Sequence, residues 1–117
     1  MLENKAILIV EDEPMIAMML EDFLIDLGCR VVGPAENLAK AHALLEQHGC
    51  DAAIVDMNLK GTLSHPLIEA LRGKGVPVIV ATGYGIAVSD LPSGCRVLAK
   101  PYAIQQVEQA LRACLGD

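Results

Sequence analysis

Apolar runs without polar alternation recur along the chain, and most of them end at an ionisable or hydroxyl residue. Short runs rich in Val and Ile are typical of strands that are buried on both faces of a parallel sheet. The pattern predicts five strands, at residues 6–10, 30–34, 52–56, 78–82 and 96–99.

Apolar residues at helical spacing separate these strands. After the first strand, Pro14 suits a first-turn position, and the apolar rhythm continues until Gly28 ends the helix. The residues predicted to face the core on this helix are Ile16, Met19, Leu20, Phe23, Leu24 and Leu27. Further helices are predicted over residues 38–47, 66–71 and 103–115. The alternation predicts an α/β fold, a doubly wound five-stranded parallel sheet with helices on both faces.

The stretch 83–94 stands where another helix belongs, but it holds three glycines and Pro92. Only residues 86–91 remain as helical material, and isolated helices of that length are marginal. We predict that this helix is short, mobile or partly disordered.

Length and composition predict a single domain over residues 1–117, with no room for a second one. Hydrophobic residues make up 53% of the chain and aromatic residues only 3%, so the core is aliphatic. The longest apolar stretch falls far short of a membrane span, and the first residues lack a signal-peptide pattern. These features predict a cytoplasmic protein without a membrane partner.

The net charge of −6 and the scattered Lys and Arg residues argue against nucleic-acid binding. The four cysteines show no C-x-x-C spacing. We interpret them as reduced packing residues rather than zinc ligands or disulfide partners.

Strand ends supply the candidate chemistry. Because parallel strands place their carboxyl ends along one edge, five side chains should converge there: Glu11, Asp12, Asp56, Thr82 and Lys100. Three carboxylates repel one another unless they share a proton or bind a cation. Magnesium suits such a site, because it prefers a few oxygen ligands and keeps other positions for waters and phosphate oxygens. No His or Cys joins the cluster, which argues against zinc or copper.

Lys100 and Thr82 make this edge suitable for a phosphate group, since an ammonium and a hydroxyl can contact its oxygens. A carboxylate can attack phosphorus to form an acyl phosphate, with the metal and Lys100 offsetting the charge of the transferring group. Asp56 is the candidate nucleophile, because it ends the central strand with partners on both sides.

The order of these residues resembles the receiver domain of bacterial response regulators along the whole chain. The matching positions are Glu11, Asp12, Asp56, Thr82, Lys100 and Pro101. The resemblance implies a flavodoxin-like strand order 2-1-3-4-5. It also implies that Asp56 accepts a phosphoryl group from a phosphohistidine on a histidine kinase or histidine phosphotransfer protein.

The same resemblance assigns roles around Asp56. Asp12, Asp56 and the backbone carbonyl of Asn58 would bind Mg²⁺, and Glu11 would hold a metal-bound water. Thr82 and Lys100 would contact the phosphoryl oxygens. The Lys100–Pro101 bond resembles one that is cis in the family, and cis bonds are tolerated chiefly before proline.

Two segments, 56–61 and 80–85, are similar to a receiver subgroup named for its Phe-Ala-Thr-Gly-Tyr stretch, although Val80 replaces the Phe. Val97 occupies the position where most receivers carry an aromatic switch residue. We therefore hypothesise that the loop after Thr82, including Tyr84, reorders on phosphorylation instead.

Three apolar residues of the first helix, Met15, Met18 and Ile25, lie beside its inward stripe. They either form a docking surface for a partner or widen the contact with the core.

Taken together, the sequence predicts a stand-alone receiver without an output domain, a monomer or weak dimer. It would act by binding an unknown downstream protein, by relaying phosphate to another histidine, or by draining phosphate from a shared kinase. It would catalyse only its own phosphorylation and dephosphorylation. One alternative is a magnesium-dependent phosphohydrolase that passes through an aspartyl phosphate. However, the position of the general acid in one large family of such enzymes is held here by Asn58, which cannot protonate a leaving group. Another alternative is a binding module that works without phosphorylation.

Overall fold

The computed structural model describes residues 2–83 and 95–116. Its main strands are β1 (Ala6–Val10), β2 (Arg30–Ala35), β3 (Ala52–Asp56), β6 (Val78–Thr82) and β7 (Arg96–Ala99), and a small hairpin pairs β4 (Asn58–Leu59) with β5 (Thr62–Leu63). The described helices are α1 (Pro14–Asp26), α2 (Leu38–His48), α3 (His65–Gly73) and α4 (Ile104–Leu115).

The five main strands are parallel and lie in the order β2-β1-β3-β6-β7. Counted along the main strands only, this is the order 2-1-3-4-5, which confirms the predicted fold class. Every residue of β1, β3 and β6 is buried, whereas β2 and β7 at the sheet edges are partly exposed. The central strands therefore lie between two layers, as their continuous apolar sequences require.

Successive residues of the central strands contribute to opposite cores. Leu8 and Val10 pack with α2 and α3 on one face of the sheet, while Ile7 and Ile9 pack with α1 and α4 on the other. This division follows from the two-residue period of a β-strand. The predicted placement of helices on both faces is confirmed.

The buried stripe of α1 is narrower than the sequence predicted. It consists of Ala17, Leu20 and Leu24, which follow helical spacing. The prediction that Met19 faces the core is wrong, because the residue is 43% exposed. Successive residues of an α-helix are rotated by about 100°, so Met19 lies about 100–160° around the helix axis from Ala17, Leu20 and Leu24.

An irregularity in β2 lies next to the carboxyl edge of the sheet. Leu8 pairs with Val32 but Val10 pairs with Ala35, so the chain around Gly33 bulges. Gly33 has a φ of +100°, and a Cβ there would lie 2.8 Å from the Ala35 nitrogen, so glycine is required. The Gly33–Pro34 bond is cis.

The predicted short helix at 86–91 and Tyr84 lie outside the described residues. Among helices of segments 2–83 and 95–116, none combines the length and apolar content needed to cross a membrane.

Candidate functional site

Three carboxylates meet at the carboxyl edge of the sheet. Glu11 and Asp12 directly follow β1, and Asp56 is the last residue of β3. One ligand oxygen from each lies within 4.8 Å of the others. Glu11 and Asp56 are only 3% and 5% exposed, so water screens their mutual repulsion poorly. This set of hard oxygen donors fits a cation such as magnesium or calcium.

Burial and neighbouring charges shift the protonation of Glu11. Its pKa is raised from 4.5 to about 7, chiefly by burial; the hydrogen bond from the Glu13 N–H and the charge of Lys100 act to lower the pKa, whereas Asp56 acts to raise it. The Glu13 N–H donates to Glu11 Oε2 at 3.1 Å. A second cation beside Lys100 would therefore favour the ionised form of Glu11.

Lys100 provides the positive charge at this edge. Its Nζ donates to Asp56 Oδ2 at 2.8 Å and lies 3.8 Å from Glu11 Oε1. Burial lowers the Lys100 pKa, but the hydrogen bond and charge of Asp56, together with Glu11 and Glu13, outweigh burial and raise it. The Lys100 N–H also donates to the Thr82 carbonyl at 2.9 Å, which ties the end of β7 to the end of β6. The Lys100–Pro101 bond is cis.

Hydrogen bonds fix the loop that follows Asp56. The Asn58 N–H donates to Asp56 Oδ1 at 3.1 Å, and Asn58 Oδ1 accepts from the Gly61 N–H at 2.7 Å. Ser64, which is fully buried, donates its hydroxyl to the Asp56 carbonyl at 2.6 Å, and its N–H donates to the Met57 carbonyl at 2.9 Å. Ser64 thus closes the loop onto the backbone of the candidate phosphoacceptor.

An open, polar cleft of about 260 Å³ lies over these groups. Its lining residues are Asp12, Glu13, Asp56, Met57, Asn58, Gly83 and Lys100. The cleft thus presents acidic oxygens and one ammonium to the same space, which suits a cation beside an anionic group.

The remaining predicted site residues are placed differently. Thr82 is buried, and its hydroxyl donates to the Gly83 carbonyl at 3.3 Å rather than lining the cleft. Val97 is half-buried on β7, three residues before Lys100. Met15, Met18 and Ile25 are 84%, 59% and 57% exposed on α1.

Two residues near the site were not predicted from the sequence. Ser64 sits in a loop where no periodicity marks it, and its role is visible only in its contact with Asp56. The second is Tyr102, whose ring packs against the core formed with α1 and α4 and whose buried hydroxyl has no hydrogen-bond partner within the described segments.

Comparison with known proteins identifies the family. The model of the response regulator receiver domain matches residues 7–112. The chain belongs to the response regulator receiver family. Receivers are signalling modules of two-component systems rather than classical enzymes, and the acidic cluster of this receiver lies where such a module requires it.

Individual relatives agree with this assignment. The two-component response regulator PhoP of Pseudomonas aeruginosa is 30% identical over 115 residues. The alignment covers 93% of this receiver but 51% of PhoP, so the chain spans about half the length of that relative. The solution structure of SdrG from Sphingomonas melonis Fr1 is 41% identical, with 98% of each chain covered and a TM-score of 0.81.

A second structure of SdrG, in its BeF3-activated conformation and attributed to Pseudomonas melonis Fr1, is 44% identical with a TM-score of 0.76, covering 98% of this receiver and 99% of that chain. The receiver domain of PhyR from Erythrobacter litoralis is 28% identical with a TM-score of 0.86, covering 97% and 92% of the two chains. This receiver is therefore similar to SdrG over nearly the whole length of both chains.

Proposed function

We propose that this receiver is the phosphoacceptor of a two-component system or phosphorelay, and that Asp56 takes the phosphoryl group from a phosphohistidine. The donor is a histidine kinase or a histidine phosphotransfer protein. The 2.8 Å contact of Lys100 Nζ with Asp56 Oδ2, at the floor of an acidic cleft, carries this proposal. In this contact the Lys100 ammonium lies beside the proposed nucleophile, where the negative charge of the transferring phosphoryl group must be neutralised.

The carboxylates are suited to hold Mg²⁺ through Asp12, Asp56 and the backbone carbonyl of Asn58, with Glu11 holding a metal-bound water. Bound Mg²⁺ would offset negative charge on the phosphoryl oxygens. Cluster geometry and the hard oxygen donors support this assignment.

The transfer itself uses Asp56. One carboxylate oxygen attacks phosphorus in line with the leaving imidazole, so a P–O bond forms as the P–N bond breaks. The imidazole nitrogen keeps the electron pair and takes a proton from solvent. Lys100 Nζ then donates its hydrogen bond to a phosphoryl oxygen instead of Asp56 Oδ2. The Thr82 hydroxyl likewise donates to another phosphoryl oxygen instead of the Gly83 carbonyl.

The conformational response involves the loop after Thr82, because Val97 offers no aromatic ring to move inward. Reordering of this loop around Tyr84 supplies the changed surface. Phosphorylation-induced spectral changes in Tyr84→Ala identical to those of wild type would contradict this role.

The exposed apolar residues of α1 form a docking surface, defined by Met15, Met18 and Ile25, for the phosphohistidine protein. Met18 shares a groove of about 350 Å³ with Glu11 and Asp12, so a partner bound there reaches the acidic edge. This continuity favours docking over a merely wider core contact.

Intact-mass measurement after treatment with acetyl phosphate tests the function. We expect one phosphoryl adduct on wild type, dependent on Mg²⁺, and none on Asp56→Asn. Asp22→Asn on the exposed side of α1 is the matched control and should be labelled like wild type. An adduct that persists in Asp56→Asn would contradict the proposal, and steady turnover of a phosphate ester would indicate a phosphohydrolase instead.

A further inference from the structure

Ser64 is the N-cap residue of α3, but its side chain does not cap that helix. Within the described part of the chain the hydroxyl makes no capping hydrogen bond. It donates instead to the Asp56 carbonyl at 2.6 Å and is fully buried there. A serine at this helix position normally accepts from an N–H of the first turn, and the loss of that bond costs stability. The side chain of Ser64 therefore serves the loop after β3 rather than α3.

Ser64 engages the first two backbone carbonyls of this loop. Its hydroxyl donates to the Asp56 carbonyl, and its N–H donates to the Met57 carbonyl at 2.9 Å. The side-chain oxygen of Asn58 is engaged as well, because it accepts from the Gly61 N–H at 2.7 Å. The backbone carbonyl of Asn58 is the next acceptor along the loop.

The hairpin of β4 and β5 fixes the direction of the Asn58 carbonyl. In an antiparallel pair, opposite residues alternate between those that exchange both backbone hydrogen bonds and those that exchange none. Asn58 lies opposite Leu63, and the bond from the Ser64 N–H to the Met57 carbonyl makes this a pair that exchanges none. The N–H and C=O of Asn58 therefore both point away from β5. Since the N–H donates to Asp56 Oδ1 at 3.1 Å, the C=O faces the same side, toward the acidic cleft that Asn58 lines.

We propose that Ser64 is a positioning residue for the cation: it holds the Asp56 and Met57 carbonyls, so that the Asn58 carbonyl is presented to the cleft before a cation binds. This inference rests on the proposed function. A ligand group that is already oriented loses little conformational freedom on binding, so the cation binds more tightly than it would to a loose loop. Ser64 thus contributes to cation affinity without being one of the proposed ligands.

Ser64→Ala tests the proposal, because it removes the hydroxyl and keeps the three carboxylates and the Asn58 carbonyl. The dissociation constant for Mg²⁺ is measured by NMR titration of the unphosphorylated protein. We expect this constant to rise about fivefold, the equivalent of one net hydrogen bond. An unchanged dissociation constant would overturn the proposal.

Ala110→Gly is the matched control for lost stability. Ala110 is buried on α4, in the core on the other face of the sheet, and a glycine within a helix lowers stability. This variant should unfold at a lower urea concentration than wild type but bind Mg²⁺ with wild-type affinity. If Ala110→Gly weakened Mg²⁺ binding as much as Ser64→Ala, general loss of stability would explain both effects, and the proposal would be overturned.

Gly61→Ala keeps the proposal testable if Ser64→Ala does not fold. Gly61 lies in the exposed turn of the hairpin with a φ of +89°, and a Cβ there would meet no described atom within 4 Å. Alanine therefore strains the turn without a clash and loosens the same hairpin. We expect weaker Mg²⁺ binding here too, and wild-type affinity would overturn the proposal. A wild-type protein that acetyl phosphate does not label would instead refute the proposed function.

Discussion

Replacing Lys100 by Met tests how the acidic site is held together in the resting protein. The substitution keeps an unbranched side chain of similar length and removes the ammonium group. Asp56 and Glu11 then remain buried at one edge without their cationic neighbour. We expect the free energy of unfolding to fall.

The contact distances set the size of this loss. Two unit charges 2.8 Å apart attract by roughly 6 kcal/mol at an effective dielectric constant of about 20. The pair with Glu11 at 3.8 Å adds roughly 2 kcal/mol, because a pKa of about 7 leaves about half a charge on Glu11 at neutral pH. Recovered hydration offsets much of this sum, and breaking a buried ion pair costs about 3–5 kcal/mol. We expect about 3 kcal/mol, because the Lys100 side chain is 23% exposed and Glu11 takes up a proton when Lys100 is lost.

Urea unfolding at pH 7 without divalent metal measures the effect. Lys74→Met is the matched control, because Lys74 pairs with Glu46 at 3.6 Å on the surface, where the two side chains are 48% and 72% exposed. That control should lose less than about 1 kcal/mol. A Lys100→Met protein as stable as wild type would refute the reasoning, since it would mean that dehydration of Lys100 cancels its attraction to both carboxylates.

Three further predictions concern Glu11, the loop after Asp56 and α1. Because the folded-state pKa of Glu11, about 7, lies above its unfolded value of 4.5, the folded protein binds more protons between these values. This group therefore lowers stability by up to about 3 kcal/mol as pH rises from 4.5 to 7. In urea unfolding without divalent metal, Glu11→Gln should reduce the fall of the unfolding free energy between pH 4.5 and 7. An equal fall in Glu11→Gln and wild type would contradict the raised pKa of Glu11. Ser64→Ala should lose about 1–2 kcal/mol in urea unfolding, because it leaves the Asp56 carbonyl without its 2.6 Å donor; no loss would show that the hydroxyl does not hold the loop. Met18→Glu should abolish phosphoryl transfer from a phosphohistidine protein, while labelling by acetyl phosphate continues. The control Leu63→Glu, on exposed β5, should affect neither reaction. Equal transfer to both variants would exclude docking on α1.

The fold was predictable because the buried strands and the amphipathic helices each leave a distinct pattern of apolar residues in the sequence. Continuous apolar runs in β1, β3 and β6 follow from layers on both faces of the sheet. Convergence of Glu11, Asp12 and Asp56 was predictable too, since parallel strands end at one edge. The topology of the sheet alone therefore brings residues far apart in sequence together, whatever the conformations of their side chains.

Features that depend on individual side-chain geometry were not predictable. Met19 follows helical spacing relative to Ile16 and Phe23, but the structure buries a different stripe of α1, formed by Ala17, Leu20 and Leu24. The Gly33 bulge depends on the pairing of β1 with β2, which local sequence does not determine. The Ser64 contact with Asp56 spans eight residues, and the lack of a partner for the Tyr102 hydroxyl among residues 2–83 and 95–116 depends on its three-dimensional surroundings.

Chemical trapping of the phosphorylated residue tests the central claim most directly. Borohydride reduces an aspartyl phosphate to homoserine, so the modified position can be read by peptide mass spectrometry after phosphorylation by a histidine kinase. We predict homoserine at position 56 alone, and only when Mg²⁺ is present during phosphorylation. Homoserine at position 12, or at no position in a protein that carries phosphate, would contradict Asp56 as the phosphoacceptor.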